Sequence, residues 1–220
     1  MKRIAIALCS ATILFSCNSA DNSAAKTEDK KLDSTAAESK PREEAWIPVD
    51  SATAMKTMME MGTPGPEHAM LAKADGNWTA EATMWMADGA PPMTSKNNTA
   101  TNKMIHGGRY QQTTFKGDMM GMPYEGSGIT GYDKAKKVYF TSWMDNMSTM
   151  AMNMEGSWDA ASKSITFTGK MLCPANGQMC DMKEVFKMVD DNTQVMEMYG
   201  PDMKTGKMFK GMEIKFTRSK

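Results

Sequence analysis

Sulfur dominates the side chains that could do chemistry. The 220-residue chain holds 27 methionines and two histidines. Several methionines recur as Met-x-x-Met: Met119 with Met122, Met144 with Met147, Met147 with Met150, and Met179 with Met182. Thioethers are soft donors that suit Cu(I). Met119, Met120, Met122, Met147 and Met150 lie in loop-like sequence, and with His68 or His106 added they form a candidate copper(I) site. A structural role competes with this reading. From Trp46 onward there are two Leu, five Ile and five Val, so methionine is expected to do most of the core filling those residues usually do. On that reading no cofactor is expected.

Acid–base chemistry has less support. His68 falls in a predicted helix and His106 beside the Gly107-Gly108 turn, and neither neighbours a nucleophile, so no positioned acid–base pair is visible. Asp133, Asp159, Asp190 and Asp202 each sit where a turn favours a short side chain that bonds its own backbone. Asp145 and Asn146, next to Trp143, lack such a turn signal. The aromatic residues favour binding over catalysis. Trp78, Trp85, Tyr124, Tyr132 and Trp143, with Asp145 and Arg109, are the candidate ligand-binding set at a barrel mouth, and core packing is the alternative for the same rings.

The elements that must position these residues are mainly strands. Ser164 to Met171 alternates cleanly, with Ile165, Phe167, Gly169 and Met171 on one face. Val138-Phe140-Ser142, Met150-Met152-Met154 and Met212-Ile214-Phe216 keep the same two-residue rhythm. Turn signals separate the runs at regular spacing, among them Asp159 to Ser162, Asn176-Gly177 and Asp190 to Asn192. The phrases Tyr132-Asp133-Lys134-Ala135-Lys136-Lys137 and Trp158-Asp159-Ala160-Ala161-Ser162-Lys163 are nearly the same, as a recurring hairpin requires. About ten strands are expected between Trp78 and Thr217. A meander of that length must close to remove its edges, which predicts an all-β, antiparallel up-and-down barrel. One or two short helices precede it: one capped by Asp50 or Ser51, with an apolar stripe through Met55, Met58, Met59 and Met61, and one from Glu67 to Lys73.

The N-terminus reads as a targeting segment. Lys2 and Arg3 form a positive start, and Ile4 to Phe15 is an apolar run too short to span a bilayer as a helix. Leu14-Phe15-Ser16-Cys17 resembles the bacterial lipobox, whose cysteine is acylated and becomes the first mature residue. Residues 1–16 are then a lipoprotein signal peptide, 17–45 an acylated Cys17 with a flexible tether too poor in apolar residues to fold, and 46–220 a single domain. Acyl chains at Cys17 hold the protein to a membrane without a spanning helix. Asn18 rather than Asp follows the cysteine, which favours the outer membrane, at its periplasmic face or the cell surface. Loss of Lys2 and Arg3 leaves 24 basic against 26 acidic residues, a nearly neutral surface with no field to draw in nucleic acid. Cys173 and Cys180 flank a turn in what is then an oxidising compartment, so a disulfide is expected between them.

Gly76-Asn77-Trp78 at the first strand resembles the Gly-x-Trp signature of lipocalins and related calycin barrels, in which the tryptophan plugs the closed end. Longer stretches carry a second resemblance: Pro64-Gly65-Pro66-Glu67-His68, Gly107-Gly108-Arg109-Tyr110, Gly121-Met122-Pro123-Tyr124-Glu125-Gly126, Gly131-Tyr132-Asp133 and Trp143-Met144-Asp145-Asn146. Over roughly Ala54 to Thr217 the chain is similar to a bacterial lipoprotein family designated domain of unknown function 1579. The resemblance implies a calycin-like barrel and brings no activity with it. The methionine excess and the cysteine pair depart from the family pattern. The expected role is therefore binding of a small apolar ligand or an envelope protein, with copper(I) as the alternative.

Overall fold

The computed structural model describes residues 45–219 apart from Pro174. The expected signal peptide, Cys17 and nearly all of the tether lie outside the described residues. The unit that holds the barrel begins at Pro48.

Two helices come first. Helix α1 (Ser51–Gly62) is capped by Asp50, whose Oδ1 accepts from the amides of Ala52 and Thr53, both at 3.0 Å. This satisfies two of the donors a helix leaves free at its start. The expected methionine stripe does form on α1, yet no residue of the helix is buried. Its carbonyl end is tied down by Lys134, whose Nζ donates to the oxygens of Glu60 at 2.6 Å and Thr63 at 3.1 Å. Helix α2 (Pro66–Ala72) opens with proline, which already has a helical φ and lacks the amide that would go unpaired. It buries His68 and Leu71.

Ten strands follow: β1 (Gly76–Met84), β2 (Met93–Ile105), β3 (Tyr110–Met119), β4 (Met122–Asp133), β5 (Val138–Asp145), β6 (Met152–Asp159), β7 (Ser164–Leu172), β8 (Met179–Asp190), β9 (Thr193–Pro201) and β10 (Met208–Arg218). Each pairs antiparallel with its sequence neighbours, and β10 returns to pair with β1. The sheet is a closed up-and-down barrel, as the strand count and short turns require. The two similar turn phrases form the same structure. Asp133 Oδ1 accepts from the amides of Ala135 and Lys136, and Asp159 Oδ1 accepts from that of Ala161. Lys137 and Lys163 close these turns at φ 59° and 51°.

Up-and-down order divides the connections between two ends. The β2–β3, β4–β5, β6–β7 and β8–β9 turns share the end from which β1 starts, and α2 packs there against β2, β3 and β4. The other five connections form the opposite end. One face of each strand looks into the barrel and the other looks out. On β7 the inward set includes Ile165, Phe167 and Met171, and on β10 it is Met212, Ile214 and Phe216. On β5 the Val138-Phe140-Ser142 face is the outer one, since Thr141, Trp143 and Asp145 line the interior.

The methionine expectation needs correction. Among the described residues thirteen methionines are exposed, including the four on α1 and most of those at the loop end opposite α2. The β-pattern places a methionine face inward only within strands, and much of the methionine lies elsewhere.

Candidate functional site

The end beside α2 is sealed by polar side chains that satisfy the carbonyls a helix leaves free at its C-terminus. Trp78 Nε1 donates to Ala74 O at 2.9 Å, Asn102 Nδ2 to the same oxygen at 3.1 Å, and Gln111 Nε2 to Leu71 O at 2.7 Å. Arg218, the last residue of β10, donates to Asp75 O at 2.6 Å and Lys73 O at 2.8 Å, and its guanidinium lies 4.2 Å from the centre of the Trp78 ring. Trp78 is 1% exposed. His68 is buried beneath the same helix, with Nδ1 accepting from the amide of Gly65 and its ring edge-on to Tyr132. Burial holds its pKa below the usual histidine value.

Above this floor lies a cavity of about 380 Å³ that runs from Leu71 to the loops at the opposite end. The volume falls within the range of small-molecule sites. Its wall is mostly apolar and rich in thioether, including Met84 of β1, Met119 of β3, Met152 of β6, Met196 and Met198 of β9, and Met212 of β10. Unbranched methionine side chains adapt to irregular ligands better than branched ones do.

At the mouth, Tyr124 of β4 and Trp143 and Asp145 of β5 form a bonded set. Trp143 Nε1 donates to the Tyr124 hydroxyl at 2.9 Å, and that hydroxyl donates to Asp145 Oδ2 at 3.1 Å. Burial raises the Tyr124 pKa well above the usual tyrosine value. The indole can lie against β4 because Gly126 and Gly128 have no side chain: a Cβ on Gly128 would stand 2.6 Å from Ser142 O and 2.7 Å from the Trp143 ring. Asn146, the next residue, ties the strand ends together through Glu125 N and Pro123 O.

Glu184, midway along β8, points into the cavity with Phe186 and Met188 of the same strand. It faces Phe167 on β7 and Met198 on β9. No hydrogen bond or charge offsets its desolvation, which pushes its carboxyl up to about 7. Among the described residues no fully buried side-chain nitrogen or oxygen lacks a partner. The Glu184 carboxylate, partly reachable from the lumen, is left to whatever fills the cavity.

The structure separates the residues singled out from the sequence. Tyr124, Trp143 and Asp145 come together on the cavity. Trp78 belongs to the sealed floor, and Tyr132 packs beneath α2 against Tyr139 at 4.9 Å. Trp85 lies outside the cavity, its ring 5.4 Å from Lys210 Nζ, because β1 has ended and the chain is leaving the barrel. Arg109 is an exposed turn residue that donates to His106 O at 2.9 Å.

The copper set does not converge. Met119 and Met150 line the cavity, whereas Met120, Met122 and Met147 are exposed. His68 and His106 lie at the other end of the barrel. Cys173 and Cys180 stand as neighbouring free thiols in this structure. The hairpin sets Cys180 opposite Met171, while Cys173 N donates to Gln178 O, so the cysteines are offset by two positions. Burial and the neighbouring Cys173 raise the Cys180 pKa.

Glu184 was missed from sequence, although a signal existed: in Met182-Lys183-Glu184-Val185-Phe186-Lys187-Met188 the acid takes the parity of the large apolar residues. The family described as Protein of unknown function (DUF1579) matches residues 63–218. The chain belongs to this family. No curated protein matches it in sequence. Among solved structures, the crystal structure of Rv2717c from M. tuberculosis is similar at 9% identity, with a TM-score of 0.51, over 72% of this chain and 100% of that one. The S-type phycobiliprotein lyase CPES from Guillardia theta is 9% identical, with a TM-score of 0.49, over 74% of this chain and 97% of its own. At such identity the likeness of the first extends to the fold alone. The DUF1579 member described here is thus a closed ten-stranded barrel, with its Gly76-x-Trp78 tryptophan at the sealed end.

Proposed function

We propose that this DUF1579 protein binds one small, largely apolar molecule inside its barrel, and that it does so in the cell envelope, held to the outer membrane by acyl chains on Cys17. The observation that carries the reading is the cavity itself. It is closed at one end by α2 and Trp78, lined by thioethers and aromatic rings, and bordered at the mouth by a bonded Tyr124–Trp143–Asp145 set. Burying apolar ligand surface there contributes roughly 25 cal/mol per Å², and the closed barrel needs little rearrangement to receive it.

Titration with N-phenyl-1-naphthylamine, whose emission rises in apolar surroundings, tests the binding. A saturable rise at one probe per chain, reversed by decanol, is expected. A linear, unsaturable response from folded protein would contradict it. For the anchor, growth with tritiated palmitate is expected to label the wild-type chain and to leave Cys17→Ser unlabelled.

A further inference from the structure

The charges on the cavity wall share one sign. Asp118 and Asp145 stand at the mouth and Glu184 halfway down, and among the described residues no Lys, Arg or His lines the lumen. The chain as a whole is balanced, with 26 basic and 26 acidic residues, so the bias belongs to the lumen. Lys183 on β8 takes the outward parity, 3.9 Å from the centre of the Tyr199 ring, and on β10 a bulge between Lys210 and Met212 turns Lys210 outward as well, where it pairs with Glu197 and Glu213.

Glu184 differs from the two mouth acids in having no partner among the described residues. Asp118 Oδ1 accepts from Gly121 N at 2.8 Å, and Asp145 accepts from Met147 N and the Tyr124 hydroxyl. The ladder partners of Glu184 are Phe167 from β7 and Met198 from β9, and its same-face neighbours along β8 are Met182 and Phe186, none of them titratable. The other titratable side chains on the lumen are Asp118, Asp145 and Tyr124. An ionised carboxylate in such a wall is costly without a counter-charge, and aromatic faces nearby also attract cations.

We infer that the ligand is an organic cation, an apolar body carrying a protonated amine, and that Glu184 receives the ammonium group. This rests on the reading of the barrel as a binding protein and assigns the chemical class of its ligand. An ammonium beside Glu184 supplies the missing donors and the missing charge together. A fatty acid would instead bring a second carboxylate into a wall that holds no cation.

The test compares decylamine, decanol and decanoate by isothermal titration of the full chain at pH 8 and pH 5.5. At pH 8 the amine is expected to bind at least tenfold tighter than decanol, and decanoate weakest. At pH 5.5 the amine's advantage is expected to shrink at least tenfold as Glu184 takes up a proton, while decanol is unchanged. Glu184→Gln, similar in shape, is expected to bind amine and decanol alike at both pH values. The wild-type comparison keeps the test decisive should that variant fail to fold. Equal binding of all three probes, or preference for decanoate, would overturn the cation assignment and leave the apolar binding site standing. Failure of all three to bind would overturn both.

Discussion

Glu184 of β8 lies directly across the ladder from Phe167 of β7, and both project into the same cavity. Burial in this apolar wall desolvates the carboxylate, the facing phenyl ring offers it no hydrogen bond or charge in return, and its pKa rises from 4.5 to about 7. The relationship links the chemistry of the lumen to the stability of the empty barrel.

The unfolded chain gives up the Glu184 proton near pH 4.5, whereas the folded barrel keeps it to about pH 7. The folded state therefore binds more protons in that window, and stability falls as pH rises through it, by an amount on the order of 2–3 kcal/mol. Glu184→Gln should lack this loss and should gain on the parent between pH 5 and pH 8. Urea unfolding at the two pH values measures it; a parent–variant difference that stays constant would show that Glu184 is not desolvated.

Tyr124→Phe removes one hydroxyl that serves two partners, leaving Trp143 Nε1 without an acceptor and Asp145 Oδ2 without a donor. Tyr124 is buried, so the loss should be about 1–3 kcal/mol. Chemical denaturation gives the number. A change below a few tenths of that would mean that water replaces the hydroxyl at the mouth.

Peroxide should sort the methionines by position. Met58, Met59, Met122, Met147 and Met179 are exposed, whereas Met154 is 3% exposed. Peptide mapping after brief treatment should find sulfoxide on the first group well before Met154. Uniform oxidation would mean that the barrel opens on the same timescale.

Much of the architecture could be read in the sequence because its signals are local. The alternation from Ser164 to Met171 and the repeated Asp133 and Asp159 turns depend on the neighbouring few residues, and they suffice to give ten antiparallel strands. Gly126 and Gly128, two glycines in one strand, leave the space that the Trp143 ring fills. The rest depended on what lies across the barrel. Helix α1 has an apolar stripe at helical spacing, yet nothing in the stripe states that another element will cover it, and none of its residues is buried. Trp85 and Tyr132 were drawn to the mouth by residue type, although β1 had already ended before Trp85 and Tyr132 sits near the turn beside α2. Glu184 acquires its meaning from Phe167 and Met198, which strand pairing sets beside it, and from the closed sheet that turns this face into a lumen.

Methionine methyl NMR would show a ligand inside the barrel, because the chain carries reporters both in the cavity and on its surface. Decanol added to protein labelled at the methionine ε-carbon should shift the lumen signals of Met84, Met152, Met196, Met198 and Met212 in a saturable way. The signals of Met55, Met58, Met59 and Met61 on α1 should stay where they are. Shifts confined to the exposed methionines, or none in a protein that remains folded, would contradict a ligand-binding barrel.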